Sequence, residues 1–106
     1  MSKNAQRGIN ALKKLRNSYR AQVGRHQNTA KRARDSQSKL QLQIQALEDG
    51  AEKADNEEFK GILEKLASAK LSDLGNVKKT AEKHEALLKD RQKRLDEVKA
   101  QLGEAA

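Results

Sequence analysis

The sequence predicts an all-α fold: an antiparallel two-helix coiled-coil hairpin that dimerises into a four-helix bundle. Apolar residues recur at alternating spacings of three and four along two long stretches, which places them on one narrow face of a helix. One short interruption separates the stretches, and so short a connection returns the second helix antiparallel to the first. No proline occurs in the 106 residues, so the strongest helix breaker is absent from both stretches.

The first helix is predicted over about residues 2–48. Its seam, the face that packs against the other helix, occupies heptad positions a and d, with Ile9 at position a. Two rungs of this ladder are polar, Arg16 and Gln37, and these weaken the seam. The complete ladder is Ile9, Leu12, Arg16, Tyr19, Val23, His26, Ala30, Ala33, Gln37, Leu40, Ile44 and Leu47.

The second helix is predicted over about residues 56–102 from a second ladder. Two successive spacings of four, from Leu66 to Lys70 to Leu74, interrupt its alternation. Such a stutter locally unwinds the supercoil and leaves the register beyond it ambiguous. The ladder is Phe59, Leu63, Leu66, Lys70, Leu74, Val77, Ala81, His84, Leu88, Arg91, Leu95, Val98 and Leu102.

The interruption is predicted as a turn over about residues 49–55. Gly50 suits a helix end because glycine adopts the left-handed conformation of a helix C-cap. Asp55 or Asn56 can cap the next helix with a side-chain oxygen, and Asp55 with Glu58 three residues later forms a capping-box pattern.

Composition limits both the architecture and the chemistry. Hydrophobic content is 35 % and charged content 36 %, with one Phe, one Tyr and no Trp, so a rod of paired helices fits better than a globule. We therefore expect a single domain over residues 1–106, with Gly103 as the final C-cap. The chain has no cysteine, no glycine-rich phosphate loop and no Ser/His/Asp arrangement. We expect no enzymatic activity, no cofactor and no metal site.

The net charge of +8 is unevenly distributed. Residues 1–34 carry ten Lys or Arg and no acidic residue, whereas residues 56–106 carry eleven basic and ten acidic residues. A basic first helix indicates an anionic partner, most plausibly an acidic protein surface. Nucleic acid is the alternative partner, and a merely solvated face is the simplest interpretation. The predicted contact residues are Lys13, Arg16, Arg20, Arg25, Lys31, Arg32 and Arg34.

Leucines at heptad position g predict self-association. Leu15 falls at g when Ile9 is at a, and Leu87 falls at g when Leu88 is at a. These residues widen the apolar face beyond the seam, which fits a hairpin that pairs with a second copy.

Three polar seam residues are candidates for a functional role. His26 and His84 lie about halfway along their helices, so antiparallel return brings them within a turn or two of each other. They can act as polar residues that set the register, as a pH-sensitive layer or, least plausibly, as metal ligands. Tyr19 lies on the seam beside Arg16 and, across the hairpin, near Arg91, and it is expected to pack in the core with its hydroxyl reaching an arginine.

These features predict a non-enzymatic protein-interaction module of the adaptor, chaperone or inhibitor type. The alternatives are a nucleic-acid-binding hairpin and, more weakly, a structural coiled-coil spacer. No apolar run approaches the roughly 20 residues of a membrane span, and no signal peptide is visible at the start of the sequence. We therefore expect a cytoplasmic location without membrane contact, although export without a signal remains compatible with the sequence.

Overall fold

The computed structural model describes residues Ser2–Glu104 and contains two α-helices. Helix α1 spans Lys3–Lys53 and helix α2 spans Glu57–Gln101. The described residues contain no strand, and the two helices pack together as a helical hairpin, which confirms the predicted fold class. Dimerisation stays a prediction.

The chain divides into two compact units, each made of a segment from both helices. Unit 1 combines the chain up to Thr29 with the chain from Lys83 onward. Unit 2 is the continuous segment Ala30–Glu82, which contains the connection between the helices.

The seam of α1 follows the predicted ladder. Every rung from Ile9 to Leu47 is buried or half-buried, and Ala30, Ala33 and Ile44 are the most buried of them. The 3-4 alternation then continues for one more step to Ala51, which is only 5 % exposed. The first helix therefore keeps a single unbroken heptad pattern along its length.

Helix α1 ends five residues later than the predicted residue Glu48. Gly50 lies inside the helix with a negative φ, so the prediction that it forms the C-cap is wrong. The continued seam explains the extension, because stopping at Glu48 would leave Ala51 unburied. A Cβ built on Gly50 would lie 3.5 Å from Leu63 Cδ1, so the glycine faces α2 at ordinary van der Waals distance.

Helix α2 begins at an asparagine cap. Asn56 Oδ1 accepts hydrogen bonds from the backbone N–H groups of Glu58 at 2.8 Å and Phe59 at 3.4 Å. Asn56 is thus the N-cap, one of the two predicted alternatives. The acidic residues Glu57 and Glu58 in the first turn complement the positive end of the helix dipole.

The C-terminus of α2 is closed by a Schellman motif around Gly103. Gly103 has a φ of 72°, its N–H donates to the Ala100 carbonyl at 3.1 Å, and the Glu104 N–H donates to the Lys99 carbonyl at 2.8 Å. A positive φ is permitted at little cost only for glycine, which is why the predicted C-cap is confirmed here.

The seam of α2 differs from its prediction in the first two turns and contains no stutter. Phe59 and Leu66 are 60 % and 48 % exposed, whereas Lys60 is half-buried and Ala67 is 5 % exposed. With Lys60 and Ala67 on the seam, the spacing alternates between three and four from Lys60 to Leu102. The prediction failed because it chose the largest apolar side chains, although the closely packed seam accepts alanine and the stem of a lysine.

No helix in the described part of the chain is long and apolar enough to cross a lipid bilayer.

Candidate functional site

The basic residues of α1 that lie in unit 1 are mostly exposed. Lys13, Arg20 and Arg25 all have exposed side chains. None of the three makes an ion pair within the described residues 2–104. Their charges are therefore directed to solvent and available to an anionic group.

Arg16 has a different role from its basic neighbours. Its side chain is 17 % exposed, and its guanidinium donates a 2.5 Å hydrogen bond to Glu104 Oε2. The Schellman turn at Gly103 holds Glu104 at the end of α2 that faces Arg16. This predicted contact residue is thus a seam residue with a partner inside the chain.

The basic residues of α1 in unit 2 divide in the same way. Lys31 and Arg32 are exposed, whereas Arg34 is half-buried. The Arg34 guanidinium donates to Gln37 Oε1 at 2.7 Å on the next turn of α1. Lys31 and Arg32 are therefore the predicted contact residues of this unit whose side chains are exposed.

His26 and His84 meet across the seam of unit 1, as the antiparallel arrangement predicted. Their Nδ1 atoms are 2.9 Å apart, and the ring centroids are separated by 5.1 Å. One nitrogen must donate its proton and the other must accept it, so at least one of the two imidazoles is neutral. Burial lowers the pKa of His26, and the neighbouring His84, Arg91 and Arg25 lower it further.

Polar contacts continue along unit 1 beyond the histidine pair. Arg91 Nε donates to Gln22 Oε1 at 2.7 Å, which joins the two helices. The nearby Tyr19 hydroxyl, together with Asp90, raises the pKa of Arg94, so this tyrosine lies beside an arginine, as predicted. Arg94 Nε also donates to Asp90 at 3.0 Å.

Two open grooves flank the seam of unit 1. The larger, about 860 Å³, has Val23 and Leu88 among its lining residues. The smaller, about 450 Å³, is formed by Leu12, Leu15 and Tyr19 of α1 and by residues of α2. The predicted self-association residue Leu15 is 40 % exposed in this second groove. Leu87, the other such residue, is half-buried outside the seam.

An exposed apolar surface in unit 2 was not predicted from the sequence. We call it the tip stripe: Phe59, Ile62 and Leu66, which are 60 %, 49 % and 48 % exposed. The spacing of three and four puts these residues on one face of α2. The sequence analysis detected the spacing of Phe59 and Leu66 but assigned both residues to the seam between α1 and α2, where the structure places Lys60 and Ala67 instead.

The described residues hold no group of three or more His, Cys, Asp or Glu arranged to bind a metal ion. Their buried side-chain nitrogen and oxygen atoms all have hydrogen-bond partners.

Comparison of the chain with known protein families, with curated proteins and with solved structures finds no match in any of the three.

Proposed function

We propose that this protein is a non-enzymatic interaction module that presents the basic residues of α1 to an acidic surface on a partner protein. One observation carries the proposal: the first 34 residues hold ten Lys or Arg and no acidic residue, and most of these basic side chains are exposed. The contact residues are Lys13, Arg20, Arg25, Lys31 and Arg32. An adaptor, chaperone or inhibitor of this kind needs charge complementarity and a rigid helix, but no reactive groups.

The edges of the seam support binding to another molecule rather than further pairing within the hairpin. In a hairpin, oppositely charged residues at position e would help the two helices to pair. Here position e holds five basic residues and three acidic residues, so positive charge predominates along this edge. The basic e-position residues are Lys13, Arg20, Arg34, Lys78 and Lys99, and the acidic ones are Glu48, Glu64 and Glu85.

Nucleic acid is the second candidate partner, because clustered Arg and Lys gain affinity for phosphates by releasing counterions. The placement of the two aromatic residues argues against single-stranded ligands, which need exposed rings on which bases stack. Tyr19 is a half-buried seam residue. Phe59 is exposed, but it follows directly after the acidic residues Glu57 and Glu58. Any nucleic acid bound would be a duplex contacted through its backbone.

The test is a pull-down with the intact protein after nuclease treatment, followed by affinity measurement with the purified partner. We expect one dominant acidic protein, and we expect Arg20→Glu, Arg25→Glu and Arg32→Glu together to weaken its binding roughly tenfold or more. The matched control reverses three exposed lysines of α2: Lys65→Glu, Lys79→Glu and Lys83→Glu. This control has the same net charge change and should retain binding.

The other outcomes identify the alternatives. Binding that nuclease removes, that a short duplex restores and that falls steeply with salt would replace the protein partner by nucleic acid. Equal loss in both triple variants would mean that only net charge matters. No binding of either kind would leave the spacer role, in which the charges only keep the chain in solution.

Self-association is the second part of the proposed function. We expect the hairpin to pair with a second copy through position g, where Leu15 and Leu87 lie. Leu15→Glu combined with Leu87→Glu should reduce the molar mass in solution to that of one chain. An unchanged mass would exclude this edge as the interface.

A further inference from the structure

The tip stripe is the most extended exposed apolar feature of unit 2. Phe59, Ile62 and Leu66 are spaced as i, i+3 and i+7, and between 48 % and 60 % of each is exposed. This is the spacing of anchor residues that one helix inserts into the groove of another. A contiguous exposed apolar face of this kind is typical of an interaction surface rather than of solvated surface.

The chain beside the tip stripe is strongly acidic. Residues 48–58 contain six acidic residues and one lysine, which gives a net charge of −5. Any partner that covers the stripe must therefore combine an apolar contact surface with positive charge. Unit 1 of this same chain has both properties: it carries thirteen Lys or Arg and five Asp or Glu, hence a net charge of +8.

The apolar contact surface of unit 1 is the smaller groove at the position-g edge. Its apolar lining includes Leu12, Leu15, Tyr19 and Val98. The charged residues Asp90, Lys93, Arg94 and Glu97 also line it, so the positive charge of unit 1 lies around the groove rather than in it. Leu15 is 40 % exposed there. On α2, Phe59 and Leu66 occupy the same heptad position, g, as Arg94 when the observed seam is taken as a and d. Phe59 and Leu66 of the tip stripe therefore lie at the same heptad position as Leu15 and Arg94 of the groove.

The exposed area of the chain is large enough for such an interface. The chain exposes 7796 Å², whereas a compact monomer of 11.8 kDa exposes about 5,900 Å². A stable interface of standard size removes about 800 Å² from each partner. The difference between the exposed area of this chain and that of a compact monomer is therefore larger than the area that one such interface removes from each copy.

We propose that the tip stripe of one copy docks into the smaller groove of unit 1, the one lined by Leu15, in a second copy. The acidic segment 48–58 then lies against the basic surface of the other chain. Apolar contacts supply the affinity, while opposite charges select this pairing over tip-to-tip contact, where two segments of charge −5 would repel. This proposal rests on the self-association proposed above but not on the acidic partner protein.

Molar mass in solution gives the first test. We expect the wild type to dimerise at about 50 mM NaCl and to associate more weakly at about 500 mM NaCl, because salt screens the attraction. Ile62→Glu with Leu66→Glu should raise the dissociation constant roughly tenfold or more. The matched control is Leu42→Glu with Leu71→Glu, which adds the same charge at exposed apolar residues outside the stripe and should leave the dimer intact. Circular dichroism checks that all variants remain helical.

Disulfide trapping gives the second test, which is clean because the chain has no cysteine of its own. We expect chains carrying Leu15→Cys to cross-link with separately tagged chains carrying Ile62→Cys. Chains carrying Ile62→Cys alone should stay uncross-linked. Cross-links between two Ile62→Cys chains, with none between Leu15→Cys and Ile62→Cys chains, would overturn the proposed pairing while leaving self-association in place. A wild type that stays monomeric at every concentration would overturn both and leave the acidic-partner test unaffected.

Discussion

Unit 1 and unit 2 are built from the same two helices, but their seams contain different chemistry. In unit 2 the most buried residues are small or aliphatic, with Ala81 completely buried and Ile44 6 % exposed. Among the described residues of unit 1, only Leu95 and Val98 reach that degree of burial, and polar side chains fill much of the remaining seam. The polar seam residues of unit 1 are Arg16, His26, His84 and Arg91.

This difference means that the two units respond to different perturbations. The seam of unit 2, in which alanine and aliphatic residues outnumber Gln37, Lys60 and Lys70, is stabilised mainly by close packing, which is insensitive to salt and pH but sensitive to changes in volume. The seam of unit 1 also contains arginine and histidine, whose hydrogen bonds and charges depend on protonation and ionic strength. The predictions below test this division, beginning with the largest expected effect.

The largest effect is expected from shortening a buried side chain in unit 2. Ile44→Ala removes most of a nearly buried side chain and should lower the free energy of unfolding by about 2–5 kcal/mol. Urea unfolding followed by circular dichroism measures the loss. Leu42→Ala is the matched control, because Leu42 is 73 % exposed and its truncation should cost no more than about 0.5 kcal/mol. Similar losses in the two variants would contradict the assigned seam.

The second effect concerns Gly75 inside α2 and Gly103 just after α2, where replacement by alanine should change the free energy of unfolding in opposite directions. Gly103→Ala forces a side chain into a left-handed conformation and should destabilise the chain by about 1–2 kcal/mol. Gly75→Ala should stabilise it by up to about 1 kcal/mol, because Gly75 is helical and a Cβ there meets no atom within 4 Å. Thermal and urea unfolding measure the stability change in both variants. If Gly75→Ala lowers the free energy of unfolding, Gly75 must be in contact with another molecule or segment that leaves no room for a Cβ.

A smaller effect is expected from the ion pair that closes unit 1. Glu104→Gln removes the charge that meets Arg16 and should cost about 0.2–1 kcal/mol at low salt. Salt screens such a pair, so the difference from wild type should shrink at about 500 mM NaCl. Glu82→Gln, at an exposed carboxylate, is the control and should have no comparable salt-dependent cost. If Glu104→Gln has no cost at low salt, the Arg16 contact contributes nothing to stability.

The smallest effect is expected from pH, because solvent partly reaches the histidine pair. Folding lowers the pKa of His26 below its ordinary value of 6.5, so near that pH the folded chain binds fewer protons than the unfolded chain. The stabilising contribution is therefore complete above 6.5 and is lost as the pH falls through the lower folded pKa.

Urea unfolding at pH values from about 7.5 to 5 measures this loss. In the double variant His26→Gln, His84→Gln the slope should flatten over that range. An unchanged slope would assign the pH dependence to other groups.

The heptad pattern of α1 could be predicted from the sequence because its rungs are distinguished by both size and spacing. The start of α2 could not, because two stripes are present there. The first contains Phe59 and Leu66, and the second contains Lys60 and Ala67. Hydrophobicity favours the first stripe, but close packing of two helices selected the second, in which alanine permits approach and the lysine stem covers apolar surface.

The end of α1 was mispredicted for a related reason. Glycine favours a helix end when the chain must turn there, but Gly50 is followed by Ala51, which the seam buries. Gly103, by contrast, adopts the left-handed conformation that was predicted. A glycine is thus compatible with a continuing helix as well as with a helix end, and the residue type alone does not distinguish the two.

The sequence by itself determined that this chain forms two proline-free helices, where the first seam runs and how the charge is distributed along the chain. These properties follow from spacing and composition, which are local. The tertiary structure alone decided which of the two stripes of α2 is covered, which arginines have partners within the chain, and that His26 and His84 share a hydrogen bond. Those outcomes depend on the distances between two helices, and no pattern within a single helix contains that information.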